Sequence, residues 1–251
     1  MKALITGASS GIGRDMAREL SKRGYDLVIV ARREDKLIDL KKELNTNVDV
    51  ISMDISSYEN CIELYKKAGK IDILINNAGF GIFGFFTDTD LYKEIQLINT
   101  NIVAMHTLTK LFLKDMEKRN SGSILNVASI AGFMPGPLMA TYYASKAYVI
   151  RLTEAIEQEL EKKQSNVFVS VLCPGPVNTE FNDVANVRFK AKALSSQYVA
   201  KYAIDKFLQK KKVIIPGLKI KLTKQLTRFA SDKLVANIAY NIQTKKRKDW
   251  Y

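Results

Sequence analysis

Tyr142 and Lys146 stand four residues apart in a stretch whose apolar spacing is helical, so the phenol and the ammonium share one helix face. A phenol ordinarily titrates near pH ~10, and a neighbouring cation favours phenolate, which suits the pair to giving up and taking back a proton. Ser129 lies thirteen residues upstream, just past the apolar run Ile124-Leu125-Asn126-Val127, and adds a hydroxyl able to hold an oxygen that gains negative charge. Tyr143 is adjacent, but it points about a third of a turn away from Lys146. A tyrosine on an apolar helix without such neighbours would read as core.

A second constellation opens the chain. The apolar run Ala3-Leu4-Ile5 leads into Thr6-Gly7-Ala8-Ser9-Ser10-Gly11-Ile12-Gly13 and then into the helical pattern Met16, Ala17, Leu20. That order is strand, turn, helix. Gly7, Gly11 and Gly13 supply positions without a Cβ where the backbone turns sharply or approaches a ligand, and the helix start offers free N–H groups to a pyrophosphate.

Elements must hold these groups together, and their order is legible. Short apolar runs at 2–6, 26–31, 48–52, 71–76, 121–128, 166–173 and 212–215 predict strands. Helical patterns near 12–23, 34–45, 57–69, 90–118, 141–163 and 195–210 alternate with them, with spacing such as Leu152, Ile156, Leu160. This alternation predicts an α/β fold: a single-domain, Rossmann-type, doubly wound parallel sheet with helices on both faces. Ligands on such sheets bind beyond the carboxyl ends of the strands, where both constellations fall. The length of 251 residues suits one large domain, read as the doubly wound body over 1–217 and a basic amphipathic helical C-terminal extension of the same domain over 218–251.

Asn76-Asn77-Ala78-Gly79 after Ile71-Asp72-Ile73-Leu74-Ile75, Asn101, Ser129, Tyr142-x-x-x-Lys146 and Pro174-Gly175-Pro176-Val177-Asn178-Thr179 follow the glycine turn in order. Together these resemble the short-chain dehydrogenase/reductase family, nicotinamide-dependent oxidoreductases, from Met1 to about Thr179. The resemblance implies hydride transfer between the nicotinamide and a ketone or secondary alcohol. Tyr142 would be the general acid or base, Ser129 the partner of the carbonyl oxygen, and Lys146 the cation that tunes the phenol. Asn101 would hold a water that feeds the lysine. Gly7, Ser9, Ser10, Gly11, Ile12 and Gly13 would form the phosphate turn, Asp54-Ile55 the adenine contact, and Asn77, Ala78 and Gly79 the stretch beside the adenosine ribose. Pro174, Gly175, Val177 and Thr179 would border the nicotinamide, with Val177 and Thr179 at its carboxamide. Ala31-Arg32-Arg33 occupies the place where sites that prefer NAD carry an acid for the ribose 2′-hydroxyl. Arg32 would pair with a 2′-phosphate that an aspartate would repel, a charge-assisted contact of about 1.5–3 kcal/mol. NADPH or NADP is therefore the expected cofactor, ahead of NAD, with Ser9 as a hydroxyl partner. Ser10 stands where some NADP-dependent relatives carry a basic residue.

Phe80, Phe83, Phe85, Phe86, Phe133, Met134, Leu138 and Met139 are expected to wall an apolar substrate pocket, with 180–195 as a lid; a lipophilic small-molecule carbonyl or alcohol fits it better than a sugar. The chain carries a net charge of +13, and residues 219–251 hold nine Lys or Arg against two Asp. Leu218, Leu222, Leu226 and Phe229 share one helical face there, with Lys221, Lys224 and Arg228 on another. Leu234, Val235, Ile238 and Ile242 form a second apolar set. Such a tail suits an anionic membrane surface, a subunit interface or simple docking with a solvated lysine face, and is expected to serve placement or substrate access without building the chemical centre. No recognition motif accompanies the charge, so nucleic acid is not an expected partner. A homo-oligomer, dimer or tetramer, is implied by the resemblance. Cys61 and Cys173 make no disulfide framework, the single histidine, His106, excludes a His-rich metal site, and no metal is expected. With neither a leader pattern nor a spanning apolar run, a cytoplasmic location is expected. A dinucleotide-sensing regulator without turnover is the alternative, but it would not need Asn101, Ser129, Tyr142 and Lys146 together.

Overall fold

Successive side chains of a strand point to opposite faces, so a strand with unbroken apolar residues must be covered on both sides. In the computed structural model, which describes residues 1–185, 193–217, 220–222, 225 and 229–245, the first strand behaves in this way. Strand β1 (Lys2–Thr6) buries Ala3 and Ile5 in one core and Leu4 in another. The same split recurs in β2 (Asp26–Ala31), where Leu27 and Ile29 face one core while Val28 and Val30 face the other. Strands β3 (Val48–Ser52), β4 (Ile73–Asn76), β5 (Ser123–Val127) and β6 (Phe168–Leu172) come next in chain order. A pair of short strands, β7 (Val177–Asn178) and β8 (Leu194–Ser195), stands apart, and β9 (Val213–Ile214) completes a seven-stranded parallel sheet of order β3-β2-β1-β4-β5-β6-β9. Leu4 sits opposite Val28 on one side and Leu74 on the other.

Helices α1 (Gly11–Ser21) and α2 (Glu34–Glu43) cover one face. On the other lie α3 (Tyr58–Ala68), α5 (Met105–Lys118) and the end of α6 (Ala140–Lys162), while α8 (Ser196–Leu208) joins α1 on the first face. Met16, Ala17 and Leu20 of α1 meet Val199, Ala203 and Phe207 of α8 in one core. The expected strands and these helices agree with the structure to within a few residues at each end, which is the span over which helix ends fray.

One expected helix differs. The stretch 90–118 is two helices, α4 (Leu91–Ile98) and α5, joined by a π-helical turn over Asn99–Ala104. Such a turn takes in an extra residue and re-aims the helix beyond it, which a 3.6-residue period does not reveal. Asn101 lies inside it and is buried.

The sheet interior also holds a polar seam. Asn76 Nδ2 donates to Thr109 Oγ1 and to Asn126 Oδ1, each at 2.9 Å, and Asn126 Nδ2 donates to Thr153 Oγ1 at 3.0 Å. These residues tie β4 and β5 to α5 and α6.

Beyond a short turn of helix, α7 (Phe181–Val184), the last element among the described residues is α9 (Asp232–Thr244), whose start is capped by Ser231 Oγ accepting from the Leu234 N–H. Val235, Ala239 and Gln243 are its buried stripe. The expected apolar set therefore divides, because Val235 is buried while Leu234, Ile238 and Ile242 are about half exposed. Leu222 and Phe229 also face solvent; Leu218, Lys224, Leu226 and Arg228 lie outside the described residues.

Candidate active site

The order of the sheet reverses at β1, whose neighbours β2 and β4 lead away in opposite directions, and a cleft opens beyond the strand ends at that point. A cavity of about 940 Å³ fills it, lined from the loops after β1, β2, β3, β4, β5 and β6. Its floor is main chain stitched by two side chains. Thr6 Oγ1 accepts from the N–H groups of Asn77 and Ala78 at 3.0 and 3.1 Å, and Asn77 Nδ2 returns bonds to the carbonyls of Thr6 and Gly7 at 3.0 and 3.2 Å. Gly7 holds φ +68°, a left-handed conformation that disfavours a side chain. A Cβ on Gly13 would fall 2.5 Å from the Gly7 carbonyl oxygen and 2.3 Å from Asn77 Nδ2. The start of α1 thus closes on β4 with no room to spare, and Ser10, its first flanking residue, makes no side-chain cap, leaving the helix N-terminus facing the cleft. These features fit a dinucleotide, whose pyrophosphate needs free N–H groups and a backbone close by.

Beside this floor, Arg33 reaches back over the cleft. Its guanidinium donates to Ser9 Oγ at 3.1 Å and pairs with Glu180 at 2.7 Å. Glu180 is held below the usual carboxylate range, first by that bond. Arg32 also lines the cavity and is exposed, and its carbonyl accepts from Ser52 Oγ.

At the other end of the cavity the proton-transfer residues converge. Ser129 caps a 3₁₀ turn over Ile130–Phe133, with its Oγ accepting from the Ala131 N–H at 3.2 Å and donating to the Pro174 carbonyl at 3.4 Å, and it lines the cavity with Tyr142. Lys146 is buried, donates from Nζ to the Val127 carbonyl at 3.0 Å, and sits 5.7 Å from the centre of the Tyr142 ring. Asn101 bonds to main chain and to α6: Nδ2 donates to the Phe80 carbonyl at 2.9 Å and to Ser145 Oγ at 3.1 Å, and Oδ1 accepts from the Phe80 N–H at 3.0 Å. Gly79 lies between it and the lysine, where a Cβ would stand 2.9 Å from Asn101 Oδ1 and 3.3 Å from Lys146 Nζ.

The phenol departs from the expectation that an ammonium neighbour dominates it. Burial, the largest influence on Tyr142, pushes its titration above the ordinary value, with the Ser129 hydroxyl opposing. Burial also pushes Lys146 down to about 8. Both groups lose water on entering the protein, and each is thereby shifted toward its neutral form.

The family model for short chain dehydrogenase matches residues 1–188. The chain belongs to the short-chain dehydrogenase family. As such it is a nicotinamide-dependent oxidoreductase. An uncharacterised oxidoreductase of Staphylococcus epidermidis is 34% identical over 202 residues, a match spanning 79% of this chain and 86% of that protein. A short-chain dehydrogenase from Sphingobium yanoikuyae solved with NADPH superposes with a TM-score of 0.83 at 28% identity, covering 93% of this chain and 94% of the other. A short-chain dehydrogenase/reductase from Burkholderia phymatum solved with NAD gives 0.82 at 27% identity, covering 90% and 92%.

Within this short-chain dehydrogenase the cavity gathers nearly every residue singled out in the sequence. Ser9, Ser10, Gly11, Ile12, Asp54, Ile55, Ala78, Gly79, Pro174, Gly175, Val177 and Thr179 line it together with Ser129, Tyr142 and Lys146. Gly13 and Asn101 stand behind the lining as packing and support. The substrate wall needs correction. Phe80 and Met139 line the cavity, and Phe83 packs against Met139, but Phe85 and Phe86 are exposed. Phe133 instead packs against a core cluster with Met105 and Val149, Leu138 is buried at φ +66°, and neither these two nor Met134 borders the cavity. The expected lid 180–195 is described only at its ends, with 186–192 outside the described residues.

Three contributors were not singled out in the sequence. Phe181 lines the cavity with its ring centre 5.2 Å from that of Tyr142, and its place just past Thr179 was the available signal. Arg33 had the same basic character as Arg32. Gln243 of α9 lines the cavity and bonds to Tyr143, so the tail borders the site without touching Ser129 or Lys146 in any described bond. Among the described residues no cluster of acidic, histidine or cysteine side chains could hold a metal, and no helix is long and apolar enough to cross a membrane.

Proposed function

We propose that the protein is an NADPH-dependent reductase of lipophilic ketones, running in reverse on secondary alcohols, with Tyr142 as general acid and base. The observation that carries this reading is Tyr142 with buried Lys146 5.7 Å from its ring centre and Ser129 in the same wall, in a cavity continuous with the glycine turn. A reduced nicotinamide bound in that cavity supplies a hydride to the carbonyl carbon. Ser129 Oγ and the Tyr142 hydroxyl both donate to the carbonyl oxygen, and the tyrosine gives up its proton as negative charge builds there. Lys146 then stabilises the phenolate and resupplies the proton from its ammonium. The π turn holds Asn101 on Phe80 and so braces the wall facing the lysine, where a water-borne relay would run.

Arg32 and Arg33 support the NADPH preference. No acid occupies the end of β2, and Arg33 already engages the Ser9 hydroxyl. Apolar Phe80, Met139 and Phe181 favour a lipophilic substrate. The test is oxidation of NADPH and NADH followed by absorbance over a panel of ketones, with Tyr142→Phe alongside; ketone reduction faster with NADPH and lowered about a hundredfold or more in the variant is expected. An inert wild-type protein that still binds NADPH would favour a sensor instead.

The outward faces of α5 and α6 support assembly into a homo-oligomer, since His106 and Tyr148 meet there at 2.8 Å in an exposed pair. Light scattering at micromolar concentration tests this. The half-exposed Leu234, Ile238 and Ile242 beside basic tail residues support reversible contact with anionic lipid, tested by sedimentation with charged and neutral vesicles.

A further inference from the structure

Gln243 enters the site from the far end of the chain. It lies in the last turn of α9, is only 1% exposed, and its Nε2 donates to the Tyr143 hydroxyl oxygen at 2.6 Å across 100 residues of sequence. Tyr143 is thereby fixed on three sides. Its ring lies over Gly136, where a Cβ would come within 2.1–2.3 Å of ring carbons. The same ring stands edge-on to Tyr142, with centres 6.1 Å apart and planes at 76°. Both Tyr143 and Gln243 line the cavity that holds Tyr142 and Ser129.

A phenol offers one donor and two acceptor positions. The Gln243 amide occupies an acceptor position, so the O–H proton remains to be given, and no described residue takes it. Burial keeps the group protonated by raising its titration above the ordinary value. Its neighbours Met139 and Phe181 are apolar and Gln243 is uncharged, so a neutral oxygen suits that position better than a carboxylate.

We propose that Tyr143, positioned by Gln243, is a substrate-binding residue that donates a hydrogen bond to a second, neutral oxygen of the substrate. The site accordingly selects keto esters and diketones over simple ketones. The proposal rests on the reductase reading for the place of the reacting carbonyl at Tyr142 and Ser129. A substrate without the second oxygen leaves this half-buried donor unpaired once the cavity is filled, which is a discrimination of about tenfold.

The test uses the full-length protein saturated with NADP, which cannot reduce a ketone, so that binding is read without turnover. Calorimetry of ethyl acetoacetate and of 2-octanone gives an affinity ratio for wild type, Tyr143→Phe and Gln243→Leu. Tyr143→Phe keeps the ring and its packing and is expected to lower the ratio about tenfold, with Gln243→Leu lowering it by about threefold as the phenol loses its anchor. An unchanged ratio in Tyr143→Phe, or no binding of the keto ester to wild type at millimolar concentration, overturns the proposal. A lower melting temperature in Gln243→Leu with an unchanged ratio would reduce that contact to a helix latch and overturn the positioning role. Reduction of the same two compounds by NADPH is followed in parallel. If neither is turned over while the binding ratio still falls in Tyr143→Phe, the reductase reading fails and the second-oxygen site stands.

Discussion

On the dinucleotide side of the cavity, Thr6, Gly7, Asn77 and Ala78 are joined by four hydrogen bonds of 3.0–3.2 Å that involve main-chain atoms, in segments adjacent in the sheet. On the substrate side the wall is Met139, Tyr142, Tyr143 and Phe181 in side-chain contact, and a distant helix contributes one bond through Gln243. The first region is main chain pinned by two short side chains, Thr6 and Asn77, which a substitution elsewhere leaves in place. The second is built from rotamers, each of which can change with its neighbours. A cofactor common to a whole family suits the first construction, and a substrate particular to one enzyme suits the second.

The sharpest way to break this contrast is at the point where the two regions meet. Tyr142→Phe is expected to lower the turnover number with NADPH by about a hundredfold or more while the dissociation constant of NADPH stays close to wild type. Tyr143→Phe, assayed on a simple ketone, is expected to cost far less. Equal losses in the two variants would remove the distinction between proton donor and wall.

On the dinucleotide side, Gly13→Ala is expected to weaken NADPH binding by more than tenfold, because its methyl would meet the immovable Gly7 carbonyl at 2.5 Å. Fluorescence titration of NADPH reads this directly, and unimpaired binding would show the floor to be softer than its packing. Arg32→Asp and Arg33→Asp, taken separately, are expected to shift the NADPH-to-NADH preference by about ten- to a hundredfold for the arginine that reads the 2′-phosphate. The other should shift it less. Steady-state kinetics with both cofactors ranks them.

The smallest expected effect is in pH. With Lys146 pushed down to about 8, reduction should slow progressively as pH rises through that value, since the ammonium that supports phenolate is lost. Stability should respond in the opposite sense. Between about 8 and the ordinary 10.5 the unfolded chain binds the proton that the folded chain has released, so this group's contribution to stability improves as pH rises across that window. Initial rates and melting temperatures from pH 7 to 10 separate the two, and a flat rate profile would remove the lysine from the proton path.

The two regions also differed in how far the sequence revealed them. The strands and the glycine turn were legible because apolar runs covered on both faces, and a turn that excludes Cβ atoms, leave their mark within a few consecutive residues. The Tyr142 and Lys146 pair was legible for the same reason, being four apart on one helix. The wall was not, because Phe85 and Phe86 are as apolar as Phe80 and only the path of the loop decides which side chain turns inward. The π turn around Asn101 leaves no trace in helical spacing. Gln243 shows the limit most clearly: an amide at the edge of a run of basic residues reads as solvated surface, and its partner is 100 residues away.

The seam of Asn76, Asn126, Thr109 and Thr153 has a consequence for how the chain assembles. Strands that are greasy on both faces have no inside or outside to distinguish one alignment from the next, so a slip of one residue between β4 and β5 would bury nearly as much apolar surface as the native pairing. Such a slip would separate the two asparagine amides and strand them in the interior, at a cost of about 1–3 kcal/mol for each group left unpaired. The seam therefore acts as a proofreading mark, admitting one alignment of the central strands and penalising its neighbours. Because Asn77 and Ser129 come just after those two strands, the same mark that rejects misassembly also brings the two ends of the cavity level with each other.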